Sequence, residues 1–278
     1  MKKIDIHCHT SNRAIRDVAT SIPNVAAITS LMDQHEIEKT VLLATYFPHK
    51  QSGITNFRLY DWIRDNPRFV MFGSLDFQYY PKQGINELEE MAERDLIAGI
   101  KIYTCYQDID IESVTFKSVL RIAKKYGLPM MFHTGLSYAS MRKYNTPTIA
   151  GMRTAKMLEK TIFDNFDVTF ILSHMSKPFF EEIISVCSSH FNVYTDMSGL
   201  IDSKFDEVEI PSSIEAIKKF VDTCGPKKLL FGTDFPVQTH EHSILFVEEA
   251  LKGYTEEDKQ RVYYDNACKV LFKKRGTK

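Results

Sequence analysis

Short apolar runs alternate with longer amphipathic stretches along the whole chain. Eight runs rich in β-branched or other apolar residues, at 3–7, 40–44, 69–73, 98–102, 129–133, 168–172, 193–196 and 229–232, are expected as strands. Helical patterns lie between and after them, at 25–34, 56–65, 83–93, 115–126, 151–165, 179–189, 213–223 and 242–251. In the fourth of these, Phe116, Val119, Leu120 and Ala123 recur at helical spacing with charged residues between them. Asn66-Pro67 and Gly127-Leu128-Pro129 punctuate helix ends ahead of the next strand. Strands separated by helices imply parallel pairing through right-handed crossovers. Eight such units predict an α/β fold, a closed (β/α)8 TIM barrel, with residues 256–278 adding one or two helices packed on it. A doubly wound open sheet is the rival arrangement, but no GxGxxG follows the first strand. With no internal repeat and no Pro/Gly-rich linker, a single domain over residues 1–278 is expected.

Composition narrows the partners. The chain has 278 residues, close to the ~250 typical of this barrel. Its 35 basic and 36 acidic residues leave a formal net charge of -1, so nothing points to nucleic acid or an anionic membrane. No apolar stretch approaches the ~20 residues of a membrane helix, and no apolar leader precedes the first strand. The five cysteines are odd in number, scattered and without a CxxC pair, so neither a disulfide framework nor a zinc ribbon is expected. A cytoplasmic protein acting on a small molecule is the expectation.

The chemistry sits at strand ends. The first strand reads Ile4-Asp5-Ile6-His7-Cys8-His9. Strict alternation points His7 and His9 the same way, into the barrel, with Asp5 below them and Cys8 turned toward the helices. Two imidazoles at that spacing can share one metal ion. The fifth strand ends in His133, the sixth is followed by His174, and the eighth by Thr233-Asp234. A barrel brings these ends to one rim, where active sites form. Lys101 closes the fourth strand and Tyr103 follows it; both are candidates for lining the pocket. Arg142 and Lys143 lie in a long segment after the fifth strand, a candidate lid, and are read as part of a solvated loop ahead of the alternative, a substrate clamp. His240 and His242 form a second HxH with no strand beneath it, read as surface or helix-capping residues. His35, His49 and His190 have no evident partner.

Asp5-Ile6-His7-Cys8-His9, His133-Thr134-Gly135, His174 and Gly232-Thr233-Asp234-Phe235-Pro236 resemble the motifs of the amidohydrolase superfamily. The resemblance is nearest to its amidohydrolase-related branch of aminocarboxymuconate-semialdehyde decarboxylase-like enzymes and metal-dependent TIM-barrel hydrolases. Residues 191–199 and 264–272 resemble the branch's seventh-strand segment and C-terminal helix. The resemblance implies that His7, His9, His133 and Asp234 are metal ligands. It implies one divalent ion, zinc first, with manganese, iron or cobalt open. Asp234 then doubles as general base. His174 lies beside a single metal and contacts the attacking water or substrate, whereas in two-metal relatives it is a ligand. For Lys101 two roles remain open: a carboxylated bridge between two metals, or a cation that holds an anionic substrate. A homo-oligomer is also compatible with the resemblance.

Three functions follow as alternatives. The first is hydrolysis of an ester, lactone or amide by metal-activated water. The second is non-oxidative decarboxylation of a small carboxylic acid. The third is a barrel that binds without catalysis. Hydrolysis leads, because no second arginine converges on a strand end to hold a carboxylate.

Overall fold

The computed structural model describes residues 1–15, 21–46, 53–136, 153–201 and 206–272, without the side chains of 206–209. Arg142, Lys143 and His49 lie outside the described residues. Eight strands form one sheet in chain order: β1 (Lys3–Cys8), β2 (Ile37–Leu43), β3 (Phe69–Gly73), β4 (Gly99–Ile102), β5 (Met130–His133), β6 (Phe170–Ser173), β7 (Val193–Asp196) and β8 (Leu229–Leu230). Neighbours from β1 to β8 pair in parallel. The ring closes where the Ile6 N–H donates to the Phe231 carbonyl at 3.0 Å and Cys8 bridges to Phe235. This is the expected TIM barrel.

The outer layer comprises α1 (Val25–Gln34), α2 (Asn56–Ile63), α3 (Pro81–Glu93), α4 (Val114–Tyr126), α5 (Ala155–Asp164), α6 (Phe180–Ser189), α7 (Asp206–Cys224) and α8 (His240–Ala250). Their ends follow local chemistry. At α4 the Ser113 side chain accepts from the Phe116 N–H, Gly127 takes the left-handed conformation at φ 63°, and Lys124 and Lys125 sit in the last turn. Beyond α8, α9 (Glu256–Gln260) runs through one π-helical turn into α10 (Asn266–Leu271).

Two apolar clusters divide the molecule. The outer one packs Cys8, Leu42, Ile100, Ile102, Phe132 and their neighbours against the helices. The inner one fills the barrel with Ile4, Ile6, Val41, Phe72, Met131 and Ile171, and α10 seals its lower end with Ala267, Val270 and Leu271. Gly99 belongs to this packing: a Cβ there would meet the Phe72 ring at 2.5 Å, so the small residue makes room for Phe72 beneath Lys101.

The first strand departs from strict alternation. Asp5 pairs with Thr40 and Cys8 with Leu42, so β1 advances three residues while β2 advances two. This bulge lets Ile6 stay in the inner cluster while His7, the next residue, also faces inward. Asp5 is therefore not below His7 and His9 on the inner face. It lies on the outer face, where its carboxylate meets Thr233 and His240 of α8. Cys8 faces the helices, as alternation suggested.

Candidate metal centre and active site

Three of the strand-end residues meet directly. Asp234 Oδ1 lies 3.3 Å from His7 Nε2 and 3.1 Å from His9 Nε2. Donor atoms of His7, His174 and Asp234 all fall within 4.8 Å of one another. His174 Nε2 lies 3.0 Å from His133 Nδ1, which draws the fifth-strand histidine into the same group. The four residues expected as ligands, and His174, thus occupy one rim of the barrel. Backbone geometry aims two of them: His174 and Asp234 have φ of 63° and 58°, in the left-handed region, and Met175 and Ser176 continue it at 47° and 55°. Such conformations cost roughly 1–3 kcal/mol each and persist where the surroundings impose them.

Asp196 and Ser198, at the end of β7, set the protonation of the imidazoles. The Ser198 hydroxyl donates its one hydrogen to Asp196 Oδ1. Toward His7 Nδ1 at 2.9 Å and His174 Nδ1 at 3.1 Å it can then only accept. Asp196 Oδ2 also accepts from His7 Nδ1 at 3.2 Å, and the Ser198 carbonyl accepts from His174 Nδ1 at 2.9 Å. Both rings carry hydrogen on Nδ1, so in the neutral ring Nε2 is the nitrogen that presents a lone pair. The His7 lone pair faces a carboxylate oxygen, an arrangement that calls for positive charge between them. His174 Nε2 accepts from His133 Nδ1, which leaves His133 Nε2 buried and without a partner among the described residues. Bare imidazole nitrogens and a carboxylate oxygen are the donor set that a divalent ion takes, so these residues fit one.

The electrostatics agree. Burial and the Lys101 charge push His7 down, but Asp196 and Asp234 outweigh them and its pKa is raised. Burial lowers His9, and burial with the neighbouring His174 holds His133 well below its usual value. Burial brings His174 to about 4, so it is neutral near pH 7. Burial raises Asp234, yet His7, His9 and His174 together hold it well below the carboxylate range.

Lys101 faces the same group as a buried cation, near enough for its charge to act on His7, His9, His133 and His174. It is fully buried, its Nζ donates to Ser173 Oγ at 3.1 Å, and burial lowers its pKa to about 8. Its other two N–H groups meet no acceptor among the described residues. Tyr103 lies beside it, the ring 5.4 Å from Nζ and 6.3 Å from the His9 ring. The Tyr103 hydroxyl donates to the Ala44 carbonyl at 2.9 Å, so it offers the site a ring face.

Residues given no role in the sequence also add to the site. Asp196 and Ser198 went unassigned because a strand-ending aspartate has no signal of its own; its place at the same rim as His133 was the available one. His240 is buried rather than superficial, 1% exposed, and its ring stacks on His35 at 5.6 Å. Gly199, at φ 59°, leaves space for the centre, since a Cβ would lie 2.7 Å from Asp234 Oδ2 and 3.0 Å from His174 Nδ1. A separate cleft of about 460 Å³ opens at the opposite end of the barrel beside Arg64, Asn66 and Phe272, remote from this chemistry.

Comparison with known proteins places these features in context. The amidohydrolase family profile matches residues 4–273. A 2-amino-3-carboxymuconate-6-semialdehyde decarboxylase of Dictyostelium discoideum is 24% identical over 229 residues, covering 75% of this chain and 63% of that protein. The chain therefore matches less than two thirds of that relative's length. A dihydroxybenzoic acid decarboxylase of Polaromonas sp. JS666, solved with bound manganese and the inhibitor 2-nitroresorcinol, superposes with a TM-score of 0.69 at 16% identity, over 98% of this chain and 97% of that one. A probable 2-pyrone-4,6-dicarboxylic acid hydrolase from Acinetobacter baumannii, with citric acid bound, gives 0.67 at 16% identity, over 98% and 100%. The two structural likenesses show a shared fold.

Proposed function

The chain belongs to the metal-dependent amidohydrolase family, and from that premise we propose that it is a hydrolase acting on an ester, lactone or amide bond of a small molecule. The observation that carries this reading is the meeting of His7 Nε2 and His9 Nε2 on Asp234 Oδ1 at 3.3 and 3.1 Å, with the His7 hydrogen held on Nδ1 by Asp196 and Ser198. His7, His9, His133 and Asp234 hold one ion per chain, zinc first and manganese, iron or cobalt as substitutes. A divalent ion there polarises a substrate carbonyl and acidifies water. Asp234 stays ionised and accepts the proton of the attacking water. His174, neutral, lies beside the ion and contacts that water or the substrate. Lys101 holds an anionic group of the substrate and Tyr103 walls the pocket; Arg142, outside the described residues, is a candidate substrate contact. A cytoplasmic setting accompanies this reading, in keeping with five free cysteines.

One observation favours a second reading, non-oxidative decarboxylation. Lys101 is a buried ammonium with two uncommitted N–H groups, suited to a carboxylate and to proton donation. A metal-quantified screen against lactones, carboxylic esters and aromatic carboxylic acids separates the two, with Asp234→Asn as control. Hydrolytic products that vanish in Asp234→Asn are expected. Carbon dioxide without hydrolytic products reverses the order. Protein that takes up no metal and is indifferent to His133→Ala supports a non-catalytic barrel.

A further inference from the structure

The closure between β8 and β1 is poor in regular pairing. β7 and β8 share only Thr195–Leu229 and Asp196–Leu230, and beyond them the backbone contacts between the two ends are single bonds. Ile6 N–H reaches the Phe231 carbonyl at 3.0 Å, Asp234 N–H the His7 carbonyl at 2.8 Å, and His9 N–H the Phe235 carbonyl at 2.8 Å. The bulge in β1 leaves the N–H groups of His7 and Thr233 without a carbonyl in this series. Both donate instead to Asp5 Oδ1, at 3.1 and 3.0 Å. The Thr233 hydroxyl donates to Asp5 Oδ2 at 2.7 Å and accepts from the Phe235 N–H at 3.0 Å. One carboxylate thus holds the residue before Asp234 directly and the residue after it through one hydroxyl.

Asp5 does this from the outer face, fully buried, with His240 Nε2 3.6 Å away from Oδ2. A buried carboxylate is costly to keep, and three hydrogen bonds that all fix the peptide units around His7 and Asp234 offset part of that cost. We propose that Asp5 is a positioning residue for the metal centre: it supplies the missing rung between β1 and β8 and so sets the separation of Asp234 from His7 and His9. This rests on reading those three residues as metal ligands.

Zinc affinity, measured by chelator competition, and the absorption bands of the cobalt-loaded protein test the proposal on the full chain. Groups that orient metal ligands typically carry 10- to 100-fold in affinity. Asp5→Ala is expected to weaken zinc by about that factor and to shift the cobalt bands. Asp5→Asn retains an acceptor for both N–H groups and should stay within about fivefold of wild type, since partial loss of such an orienting group costs less. Thr233→Val, which keeps volume and loses the hydroxyl, should fall between them. Thr40→Val removes a buried hydroxyl with no partner among the described residues, on the strand position paired with Asp5, and should leave affinity and bands unchanged. The role of Asp5 fails if Asp5→Ala binds zinc as wild type does, if Asp5→Asn is as weak as Asp5→Ala, or if Thr40→Val loses as much. Should Asp5→Ala not fold, wild-type affinity in Thr233→Val overturns the proposal. Wild-type protein that takes up neither zinc nor cobalt overturns the metal-centre reading itself.

Discussion

Between β4 and β6 the barrel wall is a regular ladder, in which Ile100, Met130 and Phe170 share one level and Ile102, Phe132 and Leu172 the next. Between β7 and β1 the ladder shrinks to two pairs, the first strand bulges, and Asp234 adopts a left-handed backbone. The regular side projects His133 and Ser173 by alternation, two positions above Met131 and Ile171, and turns to a left-handed backbone only past the strand end, at His174. The irregular side does what alternation does not. It faces two successive residues, Ile6 and His7, inward and brings a loop aspartate within 3.3 Å of both first-strand histidines. Regular pairing builds the wall, and the departures from it bring the proposed ligands His7, His9 and Asp234 together.

That contrast can be broken by substitutions on either side. Asp234→Asn, at the seam, removes the proposed base and one charge; kcat/KM on the first substrate identified should fall roughly 10²- to 10⁴-fold. Its thermal midpoint should stay near that of wild type. Ile171→Ala, in the inner cluster of the regular side, leaves a cavity and should cost about 2–5 kcal/mol in denaturant unfolding. Zinc affinity should be unchanged there, and a matching loss of metal would show that the two sides are not separable.

A pH series sharpens the picture behind the seam. Burial, with His35 nearby, lowers His240 to about 4 in the folded protein, below its ordinary 6.5. The unfolded chain takes up the proton first as pH falls, so stability is lost from about pH 6.5 down to about 4. The loss amounts to up to about 3 kcal/mol. His240→Phe keeps a ring against His35 and removes the titration. Its stability relative to wild type should therefore rise as pH falls through that window, and a pH-independent difference would contradict this assignment. The smallest effect is expected at Gly199. Gly199→Ala forces a left-handed alanine against Asp234 Oδ2, costing about 1–3 kcal/mol. Unlike Ile171→Ala, it should also weaken zinc binding, measured in the same competition assay.

Much of this arrangement was legible in the chain. Period and punctuation located the eight strands and the helices around them, because each helix carries one apolar stripe and each strand is buried on both faces. His7, His9, His133, His174 and Asp234 were legible because ligand-type residues end strands that a barrel must gather. The face of Asp5 was not. A bulge inserts one residue without altering the apolar pattern, since Ile4 and Ile6 remain inner residues on either side of it. His240 was misread as superficial because its burial depends on α8 packing over Asp5 and His35, a long-range contact with no local trace. Asp196 and Ser198 were unassigned for a similar reason: their role lies in which ring nitrogen they face. Arg142 falls outside the described residues.

The contact between Asp5 and Thr233 spans 228 positions, and this bears on the order of assembly. Contacts that close so long a loop form late, after local helices and neighbouring strand pairs. His7 and His9 leave the ribosome early, yet Asp234 cannot join them until the eighth strand has been made and docked. Capture of the proposed ion would therefore be coupled to closure of the ring, and a bound ion would favour the closed ring over its opened forms by mass action.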